Sequence, residues 1–139
     1  MHANETVLEL RFPARAERLK KVRAAVHEAA TRSGCTPACA HDIMMAVDEA
    51  CQNIIRHAYG GDSDSEIVLR IERHDDQLVL LLRDFAEKVD ERRVEPRPLD
   101  ELRPGGLGVH IIREVMDECG FVPAPSGVGN LYRMAIRIR

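Results

Sequence analysis

Glu49, Asn53 and His57 stand four residues apart in the stretch AVDEACQNIIRHAYGG, residues 46–61. In an α-helix that spacing stacks three polar side chains on a single line, one turn above another. A carboxylate on such a line becomes a better base when it is shielded from bulk water, and a carboxamide oxygen beside it can reach a hard cation. Two further places suit related chemistry. Gly105, Gly106 and Gly108 in RPGGLGVHII directly precede a helical run. Backbone N–H groups point outward there, and glycines let a phosphate chain approach closely. The stretch lacks the G-K-[ST] ending of a Walker A loop, and no short strand leads into it as in a Rossmann fingerprint. Asp84 ends the apolar run LVLLLRD, where a carboxylate can accept a hydrogen bond from an exocyclic amine. Each feature also has a plain structural reading: solvated helix surface, tight turn, strand leaving the core. In one chain they outline a base, a cation ligand, an amine acceptor and a phosphate cradle.

These groups need elements to hold them. TVLELRF places Leu8, Leu10 and Phe12 on one side of an extended segment, which Pro13 closes. From Ala14 to about Arg32, Leu19, Val22, Val26 and Ala29 recur at helical spacing, with basic residues opposite. Gly34 suits the end of that helix, Thr36 the N-cap of the next and Pro37 its first position. The second helix is expected over Pro37 to Ala58, closed by YGGD. Ile43, Val47, Ala50, Cys51, Ile54 and Ala58 fall within about 100° of one another and predict its buried stripe. Glu49, Asn53 and His57 border that stripe, with Ala46 and Ala50 leaving room around them.

SEIVLRIER and QLVLLLRD, separated by HDD, predict an antiparallel hairpin. The unbroken apolar run Leu78 to Leu82 predicts that its second strand is central in a sheet. Between Glu87 and Arg103 there are eleven charged residues and two prolines, with no sustained period. A stretch of that length in a compact domain reads as disordered, a binding loop or an active-site lid. PGGLGVHIIREVMDECG resumes a helix, with Val109, Ile112, Val115 and Met116 on one face. GFVPAP, a turn at SGVGN and LYRMAIRIR then form a closing hairpin, with Tyr132, Met134, Ile136 and Ile138 alternating. Segregated strand and helix pairs predict an α+β two-layer sandwich: a mostly antiparallel mixed sheet with three helices packed on one face. No repeat or linker divides it, so residues 1–139 are expected to form one domain.

Twenty Lys and Arg against 23 Asp and Glu give a formal net charge of -3. The chain therefore lacks the global basic field that nucleic acid or anionic membranes attract. MHANETVLEL has no basic segment leading into an apolar run, and no stretch approaches membrane-spanning length. A cytoplasmic protein without direct nucleic-acid or membrane contact is expected. Cys35, Cys39, Cys51 and Cys119 show no paired C-x-x-C spacing and read as free thiols.

DEACQNIIRHAY resembles the N-box of the GHKL superfamily of ATP-binding domains, and RPGGLGVHIIREVMDECGF resembles the second glycine box and following helix of its anti-sigma-factor serine kinases. The resemblance covers nearly the whole chain in element order. It implies ATP and Mg²⁺ as cofactors, with Glu49 as the base for an attacking serine hydroxyl and Asn53 as the direct protein ligand of Mg²⁺. It further implies that Asp84 holds the adenine amine and that Gly106, Leu107 and Gly108 cradle the phosphates. His57, Ala86 and Gly105 would line the nucleotide site. Segment 87–104 would be the ATP lid, carrying Arg103 to the terminal phosphate. The implied activity is a serine/threonine kinase for a STAS-type anti-sigma-factor antagonist. The same protein would sequester a sigma factor or equivalent regulatory partner in transcription control, as a homodimer.

One departure bears on the nucleotide site. The family's first glycine box reads roughly D-x-G-x-G, whereas this chain has Ala86 and Lys88 at the glycine positions of DFAEKVD. Two other readings follow: a weakly active or inactive binding module of the same fold, and a detached histidine-kinase-type ATPase domain.

Overall fold

The computed structural model describes residues 4–87 and 106–139, the first four of the latter stretch by their backbone alone. Strand β1 (Glu5–Pro13) leads through a 3-10 turn (Ala16–Arg18) into helix α1 (Leu19–Arg32). The sequence pattern predicted helix from Ala14. Instead Ala14 pairs with the β2 approach, its N–H donating to the Ser65 carbonyl and its carbonyl accepting from the Ser63 N–H, which holds the chain extended until the 3-10 turn begins. Leu19, Val22, Val26, Ala29 and Ala30 form the buried face of α1. Gly34 follows at φ +103, a conformation that costs glycine little, and the Cys35 N–H reaches back to the Ala30 carbonyl.

Helix α2 (Pro37–Asn53) starts as predicted. Thr36 caps it by accepting from the Cys39 N–H at 3.2 Å, and Pro37 occupies a first-turn position where its missing N–H is no loss. Thr36 also donates from N and Oγ1 to the Arg139 carbonyl, so the helix start is tied to the far end of the chain. The helix does not run regularly to Ala58. Residues Ile54–Ala58 form a π turn, in which the Tyr59 N–H donates to the Ile54 carbonyl five residues back.

Strands β2 (Glu66–His74) and β3 (Gln77–Asp84) make the predicted hairpin. Helix α3 (Gly106–Val115), β4 (Glu118–Val122), a 3-10 turn (Pro125–Gly127) and β5 (Asn130–Arg137) complete the order. The sheet runs β1-β2-β3-β5-β4, with β3 in the middle as its apolar run predicted. All four pairings among the described residues are antiparallel, where a mixed sheet was expected.

Register explains the two layers. Leu10↔Leu69, Leu69↔Leu82 and Leu80↔Met134 are directly opposed, so one face presents Ile67, Leu69, Ile71, Leu78, Leu80, Leu82, Met134 and Ile136, all buried. Each such aliphatic side chain contributes roughly 1.5–3 kcal/mol when fully buried, and the three helices supply the opposing apolar stripes. The other face carries ion pairs such as Arg70–Glu72 and Arg133–Glu118. No helix among the described residues is long and apolar enough to cross a membrane.

Candidate nucleotide and metal site

Ile43, Val47, Ala50, Cys51 and Ile54 are buried along α2, and Glu49 and Asn53 lie half-buried at the stripe's border. Ala46 and Ala50 are themselves buried, Ala50 as its place in the predicted stripe implied. Burial pushes the Glu49 carboxyl above its ordinary range, the neighbouring Asp48 charge adds to the rise, and Arg56 opposes it. Asp48 is itself compensated. Arg23 donates to it at 3.0 Å and Gln52 at 2.7 Å, while Arg56 donates to Gln52 at 2.7 Å. Glu49 takes no part in this network among the described residues. The chain thus keeps one carboxylate, Asp48, tied down and leaves its neighbour Glu49 outside that network with raised proton affinity.

One turn on, Asn53 Oδ1 is buried with no hydrogen-bond partner among the described residues. Leaving such an acceptor unsatisfied costs about 1–3 kcal/mol, and native structures rarely do so without a reason. A carboxamide oxygen is a hard donor of the kind Mg²⁺ and Ca²⁺ select, so the atom fits a cation ligand. His57 departs from the expected line. It is exposed and lies inside the π turn, where the i→i+5 pattern ends the one-turn spacing that linked it to Asn53.

The strand end is built from three chain segments. Asp84 is 2 % exposed. Its Oδ1 accepts from Asn130 Nδ2 at 2.8 Å and from the Ala86 N–H at 3.0 Å. Burial raises its carboxyl and these hydrogen bonds oppose the rise. Asn130 sits directly across the ladder from Asp84. Gly129, at φ +74, approaches so closely that an added Cβ would lie 2.1 Å from the Asp84 carbonyl oxygen. Ala86 meets the condition its substitution for glycine imposes: Asp75 and Ser126 are the only described non-glycine residues with positive φ, so Ala86 needs no glycine.

Two contributors escaped the sequence reading. Tyr59 was only the last residue of the N-box stretch, yet its hydroxyl donates to the Glu66 carbonyl at 2.7 Å and accepts from the Phe85 N–H at 2.8 Å. It joins the end of the α2 segment to the residue after Asp84. Asn130 was read as part of a turn; aligning the closing hairpin against β3 would have placed it opposite Asp84.

Helix α3 opens at Gly106, so Gly106, Leu107 and Gly108 occupy its first turn instead of directly preceding it as expected, and the helix packs against α2. Ile112 and Met116 are buried beneath it. Arg103, Gly105, Lys88 and nearly all of the lid segment 87–104 lie outside the described residues.

A family model for the histidine kinase-like ATPase domain matches residues 12–136. The serine-protein kinase RsbW of Bacillus subtilis (strain 168) is 30% identical over 126 residues, covering 85% of this chain and 79% of the relative. The RsbW of Bacillus pumilus (strain SAFR-032) is 32% identical over 137 residues, covering 90% and 84%. Among solved structures, the SiaB–SiaC complex from Pseudomonas aeruginosa matches with TM-score 0.71 and 17% identity, over 95% of this chain and 90% of that one. The RsbU and RsbW domains of Rv1364c from Mycobacterium tuberculosis match with TM-score 0.67 and 17% identity. That match spans 99% of this chain but only 33% of that protein. These two likenesses are of fold.

Proposed function

Because the chain belongs to the histidine kinase-like ATPase domain family, with serine-protein kinases among its relatives, we propose that it is an ATP- and Mg²⁺-dependent protein serine/threonine kinase. The single observation that carries the reading is the pairing on α2 of a half-buried Glu49 of raised proton affinity with a buried, unpartnered Asn53 Oδ1 one turn away.

In this reading Glu49 accepts the proton of the attacking serine hydroxyl. A carboxyl raised toward neutral pH is a better base than an ordinary glutamate. Asn53 Oδ1 holds Mg²⁺, which when bound supplies charge neutralisation across the ATP phosphates. Asp84, fixed through Oδ1 by Asn130 and Ala86, receives the adenine amine. The backbone N–H groups of the first turn of α3, at Gly106, Leu107 and Gly108, hold phosphate oxygens without a side chain intervening. The roles of segment 87–104 as lid and of Arg103 and Gly105 at the phosphates rest on sequence.

The substrate in this proposal is a STAS-type anti-sigma-factor antagonist, and the kinase acts in the cytoplasm as a homodimer that sequesters a sigma factor or equivalent partner. Support for these partners is the N-box and glycine-box resemblance together with the RsbW relatives. A binding module without catalysis draws its weight from Ala86 and Lys88; against it, Ala86 does not adopt the positive φ that would require glycine. Incubation with labelled ATP, Mg²⁺ and a small STAS protein bearing a serine tests the reading. Acid-stable phosphoserine is expected. Binding without transfer would favour the module, and acid-labile phosphate the histidine-kinase type.

A further inference from the structure

We infer that Tyr59 is a positioning residue for adenine recognition: its hydroxyl is inserted into the end of the β2–β3 ladder and sets where the Asp84–Ala86 segment lies relative to the α2 segment. The inference rests on the nucleotide-site reading above and assigns a role to a residue outside it.

The β2–β3 register runs without a break to Val68↔Arg83. Continued two residues further, it would set Glu66 opposite Phe85. At that position the two backbone groups do not meet. The Tyr59 hydroxyl takes both, donating to the Glu66 carbonyl at 2.7 Å and accepting from the Phe85 N–H at 2.8 Å. A direct ladder bond would bring N and O to about 2.9 Å; two hydrogen bonds in series through one oxygen hold the strands apart by an extra atom. The splay falls beside Asp84, whose Oδ1 then receives the Ala86 N–H.

The π turn is what delivers the hydroxyl. Its i→i+5 bond from the Tyr59 N–H to the Ile54 carbonyl, followed by the Gly61 N–H to the Ile55 carbonyl at 2.7 Å, swings the chain off the α2 line just after Asn53. Single π turns inside helices are frequent at functional sites. The phenol is protonated at neutral pH, as its donor role to Glu66 requires, and burial raises its proton affinity further. Without the hydroxyl, the Phe85 N–H and Glu66 carbonyl are free to close the ladder directly, which would draw Asp84 and Ala86 toward β2 while leaving Asn53 and Glu49 where they are.

The test is a double-mutant cycle on the full chain with Tyr59→Phe and Asp84→Asn. Affinity is measured for Mg-ATP and for inorganic triphosphate with Mg²⁺, which lacks the base. The expected result is a loss of about tenfold in ATP affinity for Tyr59→Phe, of the size one mispositioned hydrogen-bonding group produces. Triphosphate affinity should stay within twofold, and the loss should shrink below twofold when Asp84 is already Asn. A loss equal for both ligands, or undiminished in the Asp84→Asn background, marks Tyr59 as merely structural and overturns the inference, as does ATP affinity within twofold of the parent. If Asp84→Asn itself leaves ATP affinity unchanged, the adenine role of Asp84 fails and this inference with it. Should Tyr59→Phe not fold, hydrogen exchange in the unaltered protein decides: the Phe85 amide is expected to be protected before nucleotide is added and more so with ATP. Exchange at the unprotected rate overturns the inference.

Discussion

At its N-terminal end α2 leaves little unpaired: Thr36 accepts from Cys39, both Thr36 donors reach Arg139, and Pro37 has no N–H to satisfy. At its C-terminal end the same helix carries a half-buried carboxylate of raised proton affinity, a buried carboxamide oxygen with no partner, and a turn that abandons the i→i+4 pattern. The first end is open to solvent at Thr36, Pro37 and Ala38, whereas Glu49 and Asn53 are half-buried, so burial is part of the contrast. The first end obeys the capping rules that stabilise helices in general. The second violates several of them within ten residues, and such concentrated violations are expected where a site is kept ready for a ligand.

That contrast is open to direct attack. Asn53→Ala should lower phosphotransfer by at least tenfold and abolish the Mg²⁺-dependent part of ATP affinity. It should also leave thermal stability unchanged or raise it slightly, because it deletes an unsatisfied buried acceptor. Titration calorimetry with and without Mg²⁺, beside a melting curve, reads both; a large loss of stability with unchanged Mg²⁺ dependence would make Asn53 structural. Gly129→Ala should be costly at the strand end. A Cβ 2.1 Å from the Asp84 carbonyl oxygen on a residue at φ +74 forces the backbone to move, and destabilisation of about 1–3 kcal/mol in denaturant unfolding is expected, with weakened ATP binding. Thr36→Ala should cost about 1 kcal/mol of stability and leave ATP affinity and transfer within twofold, the reverse of Asn53→Ala.

The smallest effect concerns pH. Burial raises the Glu49 carboxyl in the folded chain, so the folded state binds a proton more tightly than the unfolded one and Glu49 detracts from stability once ionised. Glu49→Gln should therefore melt higher than the parent at pH 8, and the gain should fade as pH falls through the raised folded value and vanish below the ordinary glutamate range. A gain independent of pH would show that ionisation of Glu49 is not its source. Asp117 runs the other way. The Arg137 N–H and then Arg139 hold its carboxyl low, so its contribution is present above its unfolded value and lost as pH drops through the lowered one.

Much of this was legible in the chain itself because it is local. Alternation marked β2, β3 and β5, helical spacing marked α1 and α2, and Thr36-Pro37 marked a helix start. The four-residue spacing of Glu49 and Asn53 needs only helical geometry to place both on one line. What was not legible depends on partners distant in sequence. The 3-10 entry to α1 follows from Ala14 pairing with Ser63 and Ser65. The π turn is coupled to Tyr59 finding Glu66 and Phe85. The place of β5 between β3 and β4, which sets Asn130 against Asp84, is decided by pairing across the whole second half of the chain. His57 was misplaced for the same reason: a regular helix was extended through residues whose backbone answers to a remote strand.

The central claim is that the C-terminal end of α2 does chemistry. Its most direct test is transfer of labelled phosphate from Mg-ATP to a serine-bearing STAS protein by the parent and by Glu49→Gln, with ATP affinity measured on the same samples. Glu49→Gln is expected to bind ATP within twofold of the parent while transfer falls by about 10²–10⁴, the range a lost general base produces. Transfer by Glu49→Gln at the parent's rate would contradict the claim.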